Sequence, residues 1–345
     1  MFLKLLRNID PETSHHISIL SLKHLSRFLE KVYKNKILNT NFGNLTFDNP
    51  IGLAAGYDKN AEVINSLFKM GFGFVECGTV TPVAQYGNPK PRIFRLKEDR
   101  GIVNRLGFNN CGIEQFSRNF NQRNAHLGIA GVNIGPNKES KNFIDDYLKI
   151  YNSIYEYADY ITLNVSSPNT KNLRDIQRTE DLSILTYEIN SLRESKETQK
   201  KIVLKVDPDS SEEDYSKIIN IVQKNKIDGL IVNNTSISRP EYLKSDYKNE
   251  GGGLSGAPIK RRSNEVLRFI SKETQGELML IGVGGIERAQ DIYEKIKIGA
   301  SLVQIYSALT YNNLGFINEM NQELSICLKN DGFSNIKEAV GIEVK

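Results

Sequence analysis

The sequence predicts a (β/α)8 TIM barrel carrying an N-terminal two-helix extension. Three observations predict it. From residue 50 onward, short apolar runs alternate with segments of helical period; eight such runs can be counted; and polar or glycine residues recur where the runs end. Strand–helix alternation implies parallel pairing, and about eight units close a barrel. A doubly wound open sheet is the alternative arrangement. The 345 residues suffice for one barrel of about 250 residues with additions.

Composition narrows the class. With 39% hydrophobic and 25% charged residues the chain reads as globular. Its 45 basic and 41 acidic side chains leave a formal charge of +4, too balanced to argue for a nucleic-acid partner. Cys77, Cys111 and Cys327 are far apart, with no C-x-x-C pair, so neither a disulfide framework nor a metal site is expected. That usage fits a reducing, cytosolic compartment. No apolar run approaches the ~20 residues that span a bilayer. Lys4 interrupts the first apolar stretch and no small-residue cleavage site follows, so no signal peptide is expected; Asp10 and Glu12 argue against a transit peptide.

Taken in order, residues 1–38 form a unit distinct from residues 39–345. The first expected helix carries Phe2, Leu3, Leu5, Leu6 and Ile9. Asp10-Pro11-Glu12 then supplies an N-cap acceptor, a proline at the first helical position and a carboxylate at the positive dipole end. The second helix places Ile17, Leu20, Leu25, Phe28, Leu29 and Val32 near helical spacing, flanked by Lys4, Arg7, Lys23, Arg27, Lys31, Lys34 and Lys36. Two readings stand: a hairpin packed on the main domain, or one lying on anionic lipid with its apolar face in the headgroup boundary. Residues 39–50, with Asn41-Phe-Gly-Asn44 between β-formers, read as a hairpin closing the bottom of the barrel.

Strands are expected at 51–55, 74–78, 128–134, 160–165, 202–206, 229–233, 278–283 and 302–306. Helices are expected near 60–70, 142–157, 180–195, 212–225, 260–274, 287–297 and 313–329. The interval between the second and third strands is long and holds Thr81–Pro91, Phe94-Arg95-Leu96 and Asn104–Asn110. Long insertions in compact domains are usually functional.

In such barrels, residues at the C-terminal strand ends face the active site. Here those ends carry Ala54–Lys59, Gly78-Thr79, Asn133, Asn164 with two serines, Lys205, and Asn233-Asn234-Thr235. A single strand-end asparagine is an ordinary turn former; six polar ends on one rim are harder to dismiss. Gly252–Gly256, Gly282–Gly285 and Gly299 onward to Tyr306-Ser307 allow a phosphate to approach backbone N–H groups, at the usual phosphate site of these barrels. Lys205, inside its strand, points into the barrel and needs an anion there; a reduced flavin would supply one, and Asp207 is the structural alternative.

These motifs resemble a known family. Asn49–Asn60, Glu76–Pro82, Gly87–Leu96, Asn104–Asn110, Asn164–Thr170 and Ile281–Ile286 are similar to the class 2 dihydroorotate dehydrogenases, and the likeness spans almost the whole chain. The resemblance implies one FMN per chain at the C-terminal rim, contacted by Ala54, Ala55, Gly56, Tyr57, Asp58, Thr79, Asn133, Asn164, Lys205, Asn233, Gly256, Gly285, Tyr306 and Ser307. It implies dihydroorotate, and its product orotate, held by Lys59, Asn104, Arg105, Leu106, Gly107, Phe108, Asn164, Asn169, Asn234 and Thr235. Ser167 matches the catalytic base that removes the C5 proton while the C6 hydride goes to the flavin, with Phe108 and Thr170 beside it. His15, Arg95 and Tyr306 match residues lining a tunnel for a quinone, ubiquinone or menaquinone, beneath membrane-facing N-terminal helices. The implied setting is the cytoplasmic side of a bacterial inner membrane, peripherally bound, with no iron–sulfur partner subunit.

The chemistry agrees with these roles. Dihydroorotate carries a carboxylate for Lys59 and a ring of amide groups for the asparagines. Serine is a weak base, so it needs tight alignment and an onward acceptor, which Thr170 could provide with a water. The soluble class uses cysteine at the place of Ser167 and lacks the N-terminal helices, which weighs against a fumarate- or NAD-linked enzyme. A non-catalytic flavin binder would not need Ser167, Lys59 and Asn169 together. Two departures stand out: Asn233 replaces a usual threonine, and Tyr57 a usual phenylalanine or leucine.

Overall fold

In the computed structural model of the chain, the described residues are 8–25, 32–170, 173–178 and 180–344. Eight parallel strands form a closed barrel. In chain order they are β3 (Ile51–Leu53), β4 (Phe74–Val80), β7 (Ile129–Ile134), β8 (Tyr160–Asn164), β9 (Lys201–Val206), β10 (Gly229–Val232), β12 (Met279–Val283) and β13 (Leu302–Ile305). Each pairs with its sequence neighbours and β13 returns to pair with β3. All eight expected strands are present, and the open-sheet alternative is excluded by closure.

Period-two alternation sorts each strand into an outer and an inner face. Ile51, Leu53, Val75, Cys77, Val132, Ile161, Leu163, Leu204 and Val206 join the large core under the helices. Phe74, Tyr160, Val203, Ile231, Ile281 and Leu302 form a separate inner cluster with Phe42 and Phe47. Those two phenylalanines come from an antiparallel hairpin, β1 (Thr40–Phe42) and β2 (Leu45–Phe47). Phe47 stands edge-on to Phe74 at 5.4 Å, so the hairpin plugs the barrel floor as its sequence suggested. Glycine makes room for the rings: a Cβ on Gly131 would lie 2.1 Å from the Tyr160 ring, and one on Gly52 2.2 Å from Phe74.

The expected helices fall at Ile64–Lys69, Phe143–Ile154, Glu180–Glu194, Glu212–Lys224, Lys260–Thr274, Ala289–Ile298 and Phe316–Asn330. A further helix, Gly112–Phe120, buries Phe116 and Phe120. It lies inside the long insertion between the second and third barrel strands and was not among the expected helices. The long insertion folds into β5 (Ile93–Leu96) and β6 (Gly101–Asn104), an antiparallel pair joined on its other edge by β11 (Gly253–Gly256). Strand β11 lies about 150 residues away in sequence, so local pattern could not reveal this sheet.

Helix Pro11–Leu25 lies against β5 and the barrel. Asp10 caps it, its Oδ2 accepting from the Thr13 N–H at 2.7 Å. Ile19 and Leu22 are its buried apolar residues. Leu20, expected on the inner stripe, is 41% exposed. The helix is pinned by a bidentate Arg92–Glu12 pair (2.6 and 3.1 Å), by Ser18 with the Tyr57 hydroxyl (2.8 Å) and by Lys23 with Glu62 (2.5 Å). Phe2, Leu3, Leu5, Leu6, Phe28 and Leu29 lie outside the described residues.

Inside the barrel, above the aromatic floor, the Glu76 carboxylate has no exposure. It accepts from Asn133 Nδ2 (2.8 Å), Tyr160 Oη (3.0 Å), Thr162 Oγ1 (2.9 Å) and Gln304 Nε2 (2.8 Å). Removing it orphans four buried donors. Glu76→Ala should therefore destabilise the fold by about 3–5 kcal/mol, read as a lower urea midpoint at constant m-value. A shift below about 1 kcal/mol would show that the donors find other partners.

Candidate active site

The polar layer continues upward from Glu76. Asn133, itself fully buried, turns its Oδ1 to Thr79 Oγ1 (2.6 Å) and Asn164 Nδ2 (3.1 Å). Asn164 Nδ2 also reaches Thr79 Oγ1 at 2.9 Å, and its Oδ1 accepts from Asn234 Nδ2 at 3.2 Å. Ser166, unassigned from sequence, completes this rim: its hydroxyl accepts from Asn234 Nδ2 (3.0 Å) and lies 3.3 Å from Asn164 Oδ1. Each amide is thus held in one orientation by partners on neighbouring strands.

Above this layer opens a cleft of about 1050 Å³. Ser167, Lys59, Asn104, Leu106, Gly107, Phe108, Asn164, Asn169, Asn234 and Thr235 line it, as do Ala54, Ala55, Gly56, Thr79, Lys205, Asn233, Gly256, Gly285, Tyr306 and Ser307. Residues from five of the six polar strand ends, and from the insertion, converge here. Asn169 accepts from Asn88 Nδ2 through its carbonyl (3.2 Å) and donates to Asn104 Oδ1 (3.3 Å), while its N–H approaches Ser167 Oγ at 3.3 Å. Burial pushes the Lys59 ammonium down to about 8, against the pull of Glu12.

Several expected contacts are placed differently. Asn133 lies beneath the cleft, its amide fully engaged. Asp58 is 1% exposed and accepts the Glu62 and Val63 N–H groups (2.7 and 2.9 Å); desolvation raises it to about 6. It shapes the loop and is not in the lining. Tyr57 turns its ring to the N-terminal helix. Arg105 leaves the cleft to pair with Glu250 (2.6 Å) over the Phe94 ring. Thr170 is buried outside the lining, and no hydrogen bond joins it to Ser167. Ser255, Asn109 and Gly284, inside motifs already singled out, also line the cleft, as does Gln304, which sequence reasoning missed; Gln304 sits one step below Tyr306 on an inward-facing strand position that alternation alone would have flagged.

The cleft fits the expected flavin. Asn233 is 1% exposed, yet neither of its amide atoms has a partner, and Gln304 Oε1 is also unpaired. Buried polar groups are rarely left so, and a ring edge bearing amide-type donors and acceptors would satisfy them. Among the described residues nothing bonds the Lys205 ammonium; burial lowers its pKa and Glu76 opposes this. Asp207, the alternative partner, is occupied by Gln177, Ser210 and the Asp209 N–H. At the other end of the lining, Gly256 (φ +90) and Gly285 (φ +71) keep left-handed backbone in close packing: a Cβ would lie 2.4 Å from the Arg100 carbonyl oxygen or 2.3 Å from Lys260 Cα.

A second cavity, of about 1000 Å³, adjoins the first under helix Pro11–Leu25. The two share Asn104, Leu106, Ser255, Tyr306 and Ser307. Its wall carries His15, Arg95 and Tyr306 among Met70, Ile93, Ile102, Leu309 and Leu314. His15 stacks edge-on against Tyr57 at 5.0 Å, and desolvation drops it to about 3, so it is neutral. Arg95, 8% exposed, holds the Ile9 carbonyl at 2.9 Å.

The dihydroorotate dehydrogenase family model matches residues 37–328. A relative named dihydroorotate dehydrogenase (quinone) from Rhodospirillum rubrum is 42% identical, covering 98% of this chain and 93% of its own length. One of the same name from Bartonella tribocorum is 44% identical, covering 96% and 92%. Among solved structures, ligand-free DHODH from Eimeria tenella superposes with a TM-score of 0.93 at 37% identity over 97% of this chain and 100% of its own. The same enzyme crystallised with ferulenol gives 0.91 at 36% identity.

Proposed function

The chain belongs to the dihydroorotate dehydrogenase family, class 2, and from that premise we propose which of its residues carry each part of the reaction. The enzyme oxidises dihydroorotate to orotate in pyrimidine biosynthesis, with a quinone as acceptor. The reading rests above all on the two cavities that share a wall. One holds Ser167, Lys59 and the asparagines; the other lies under the N-terminal helix and gathers Met70, Ile93, Leu309 and Leu314 around His15 and Arg95. Two half-reactions with chemically unlike partners need such a pair of sites.

Family membership implies a flavin, and we take it to be FMN. Lys205 and Asn233 would face its pyrimidine edge, with Gly256, Gly285 and Ser307 around its phosphate. When bound it supplies the hydride acceptor. The other roles fall to the chain itself. Lys59 binds the substrate carboxylate as a point charge. Asn104, Asn169, Asn234 and Thr235 hold the ring by amide and hydroxyl groups fixed from behind, and Asn164 bridges ring and flavin wall. Ser167 Oγ takes the C5 proton as its own hydroxyl proton passes onward, with Thr170 and a water as the relay. The neutral His15, with Arg95 and Tyr306, forms the polar end of the quinone cavity. Residues 1–38 form the quinone-tunnel unit and rest on the cytoplasmic surface of a bacterial inner membrane, basic side chains toward anionic lipid. Among the described residues no helix is long and apolar enough to cross a membrane.

The decisive measurement is anaerobic: dihydroorotate should bleach the bound flavin, and quinone, not fumarate or NAD, should restore it. Ser167→Ala should retain FMN and slow bleaching by about 10²–10⁴-fold; near-normal bleaching would remove Ser167 from the chemistry. Lys59 offers a pH test. Its charge is present below about pH 8 and lost above it, so the orotate dissociation constant should rise by about tenfold per pH unit beyond that point. Orotate affinity unchanged in Lys59→Ala would rule out Lys59 as the carboxylate anchor. Deleting residues 1–36 should spare bleaching while slowing quinone reoxidation more than about tenfold, as expected when a 1.4 kcal/mol binding contribution is lost; unchanged reoxidation would refute the tunnel.

A further inference from the structure

One cation sits behind the cleft and touches three rim loops at once. Arg174, whose side chain is 13% exposed, donates from Nε to the Ser166 carbonyl at 3.0 Å, from Nη1 to Asp209 Oδ2 at 2.8 Å and from Nη2 to the Thr235 carbonyl at 2.7 Å. Ser166 directly precedes Ser167 in the loop after β8. Thr235 directly follows Asn234 in the loop after β10. Asp209 stands in the loop after β9, and its carboxylate also accepts from Ser236 Oγ (2.5 Å) and the Ile237 N–H (2.8 Å). One rigid guanidinium plane therefore fixes the backbone beside the base relative to the backbone beside two substrate contacts.

We infer that Arg174 is a positioning residue for substrate oxidation: it sets the separation between Ser167 and the Asn234–Thr235 wall. This rests on the assignment of those residues given above. Two features favour a specific role over general stabilisation. The guanidinium bonds backbone carbonyls on both sides of the cleft, so its loss frees both loops together. It touches none of the flavin-facing groups Lys205, Gly256, Gly285 or Ser307, nor any residue of the second cavity. A base misplaced by about 1 Å loses roughly 100-fold in rate, so the consequence should fall on one half-reaction alone. Lysine carries its three donors on one nitrogen and lacks the planar fork that reaches these acceptors from Nε, Nη1 and Nη2.

Stopped-flow measurement of the two half-reactions on the full-length holoenzyme tests this. Arg174→Ala should bleach about 100-fold more slowly with dihydroorotate, with FMN stoichiometry unchanged and quinone reoxidation of dithionite-reduced enzyme within about twofold. The kinetic isotope effect from deuterium at C5 should rise, because misalignment burdens proton removal. Arg174→Lys should lie between wild type and Arg174→Ala. Bleaching of Arg174→Ala within about threefold of wild type overturns the inference, as does equal slowing of both half-reactions, which would mark a general structural role. If Arg174→Ala does not fold, Arg174→Lys at the wild-type bleaching rate overturns it equally. Wild-type flavin that dihydroorotate fails to bleach would sink the functional reading itself, a result distinguishable from either.

Discussion

A single buried carboxylate orders the upper half of the barrel. Glu76 has no exposure, and its donors come from three other barrel strands, β7, β8 and β13. A charge in that position is costly unless it is fully hydrogen-bonded, so the strands can hold it only in one mutual register. Asn133 Nδ2 donates to Glu76, which turns its Oδ1 toward the donors of Thr79 and Asn164. Asn164 in turn presents its oxygen to Asn234 and Ser166. The orientation of amides at the rim is thus inherited, bond by bond, from a carboxylate near the barrel centre.

On the proposed reading, this inheritance explains how a weak base such as Ser167 would work. Serine gains little from its own acidity; it depends on where its oxygen sits relative to the ring. The rim below Ser167 is fixed by the Glu76 network, and the rim behind it by the Arg174 fork. On the same proposal, the quinone side obeys the opposite rule. Its cavity is walled by Met70, Ile93, Ile102, Leu309 and Leu314, with a histidine kept neutral by burial. A charged side chain there would need a partner, and Arg95 has one in the Ile9 carbonyl. Tyr306 and Ser307, at the end of β13, belong to both cavities together with Asn104, Leu106 and Ser255, so the two cavities are separated by a single layer of residues.

Much of this was legible in the sequence, because the signals were local. Eight strands and seven helices could be read from period and from glycine and proline punctuation. The strand-end polar residues could be placed on one rim because parallel strands share a direction. What could not be read was set by distance in sequence or by competition between partners. Strand β11 meets β6 across about 150 residues. Arg105 sits in a motif with cleft residues on both sides, yet Glu250 and the Phe94 ring draw it away. Asp58 is spent on two backbone N–H groups of the following turn, a local capping use that its place in the flavin loop concealed. Leu20 shows the limit of helical spacing: the inner face of its helix is set by Ser14, Ile19 and Leu22, a stripe rotated from the one with the most leucines.

The two departures from the family pattern gain physical meaning from their surroundings. Tyr57, in place of a purely apolar ring, adds a hydroxyl that bonds Ser18 at 2.8 Å, while its ring meets His15 at 5.0 Å and Tyr306 at 6.0 Å. One side chain thereby links the flavin loop, the N-terminal helix and the residue shared by both cavities. Asn233, in place of threonine, brings two polar atoms where threonine brings one, and leaves both unpaired in a buried wall beside the cleft. An amide in that state raises the free energy of the empty site by about 1–3 kcal/mol for each unmet group. A ligand that pairs with it recovers that cost on binding. The substitution therefore acts less on the fold than on the difference between the empty and filled cleft, and it favours a ligand edge that offers a donor and an acceptor side by side.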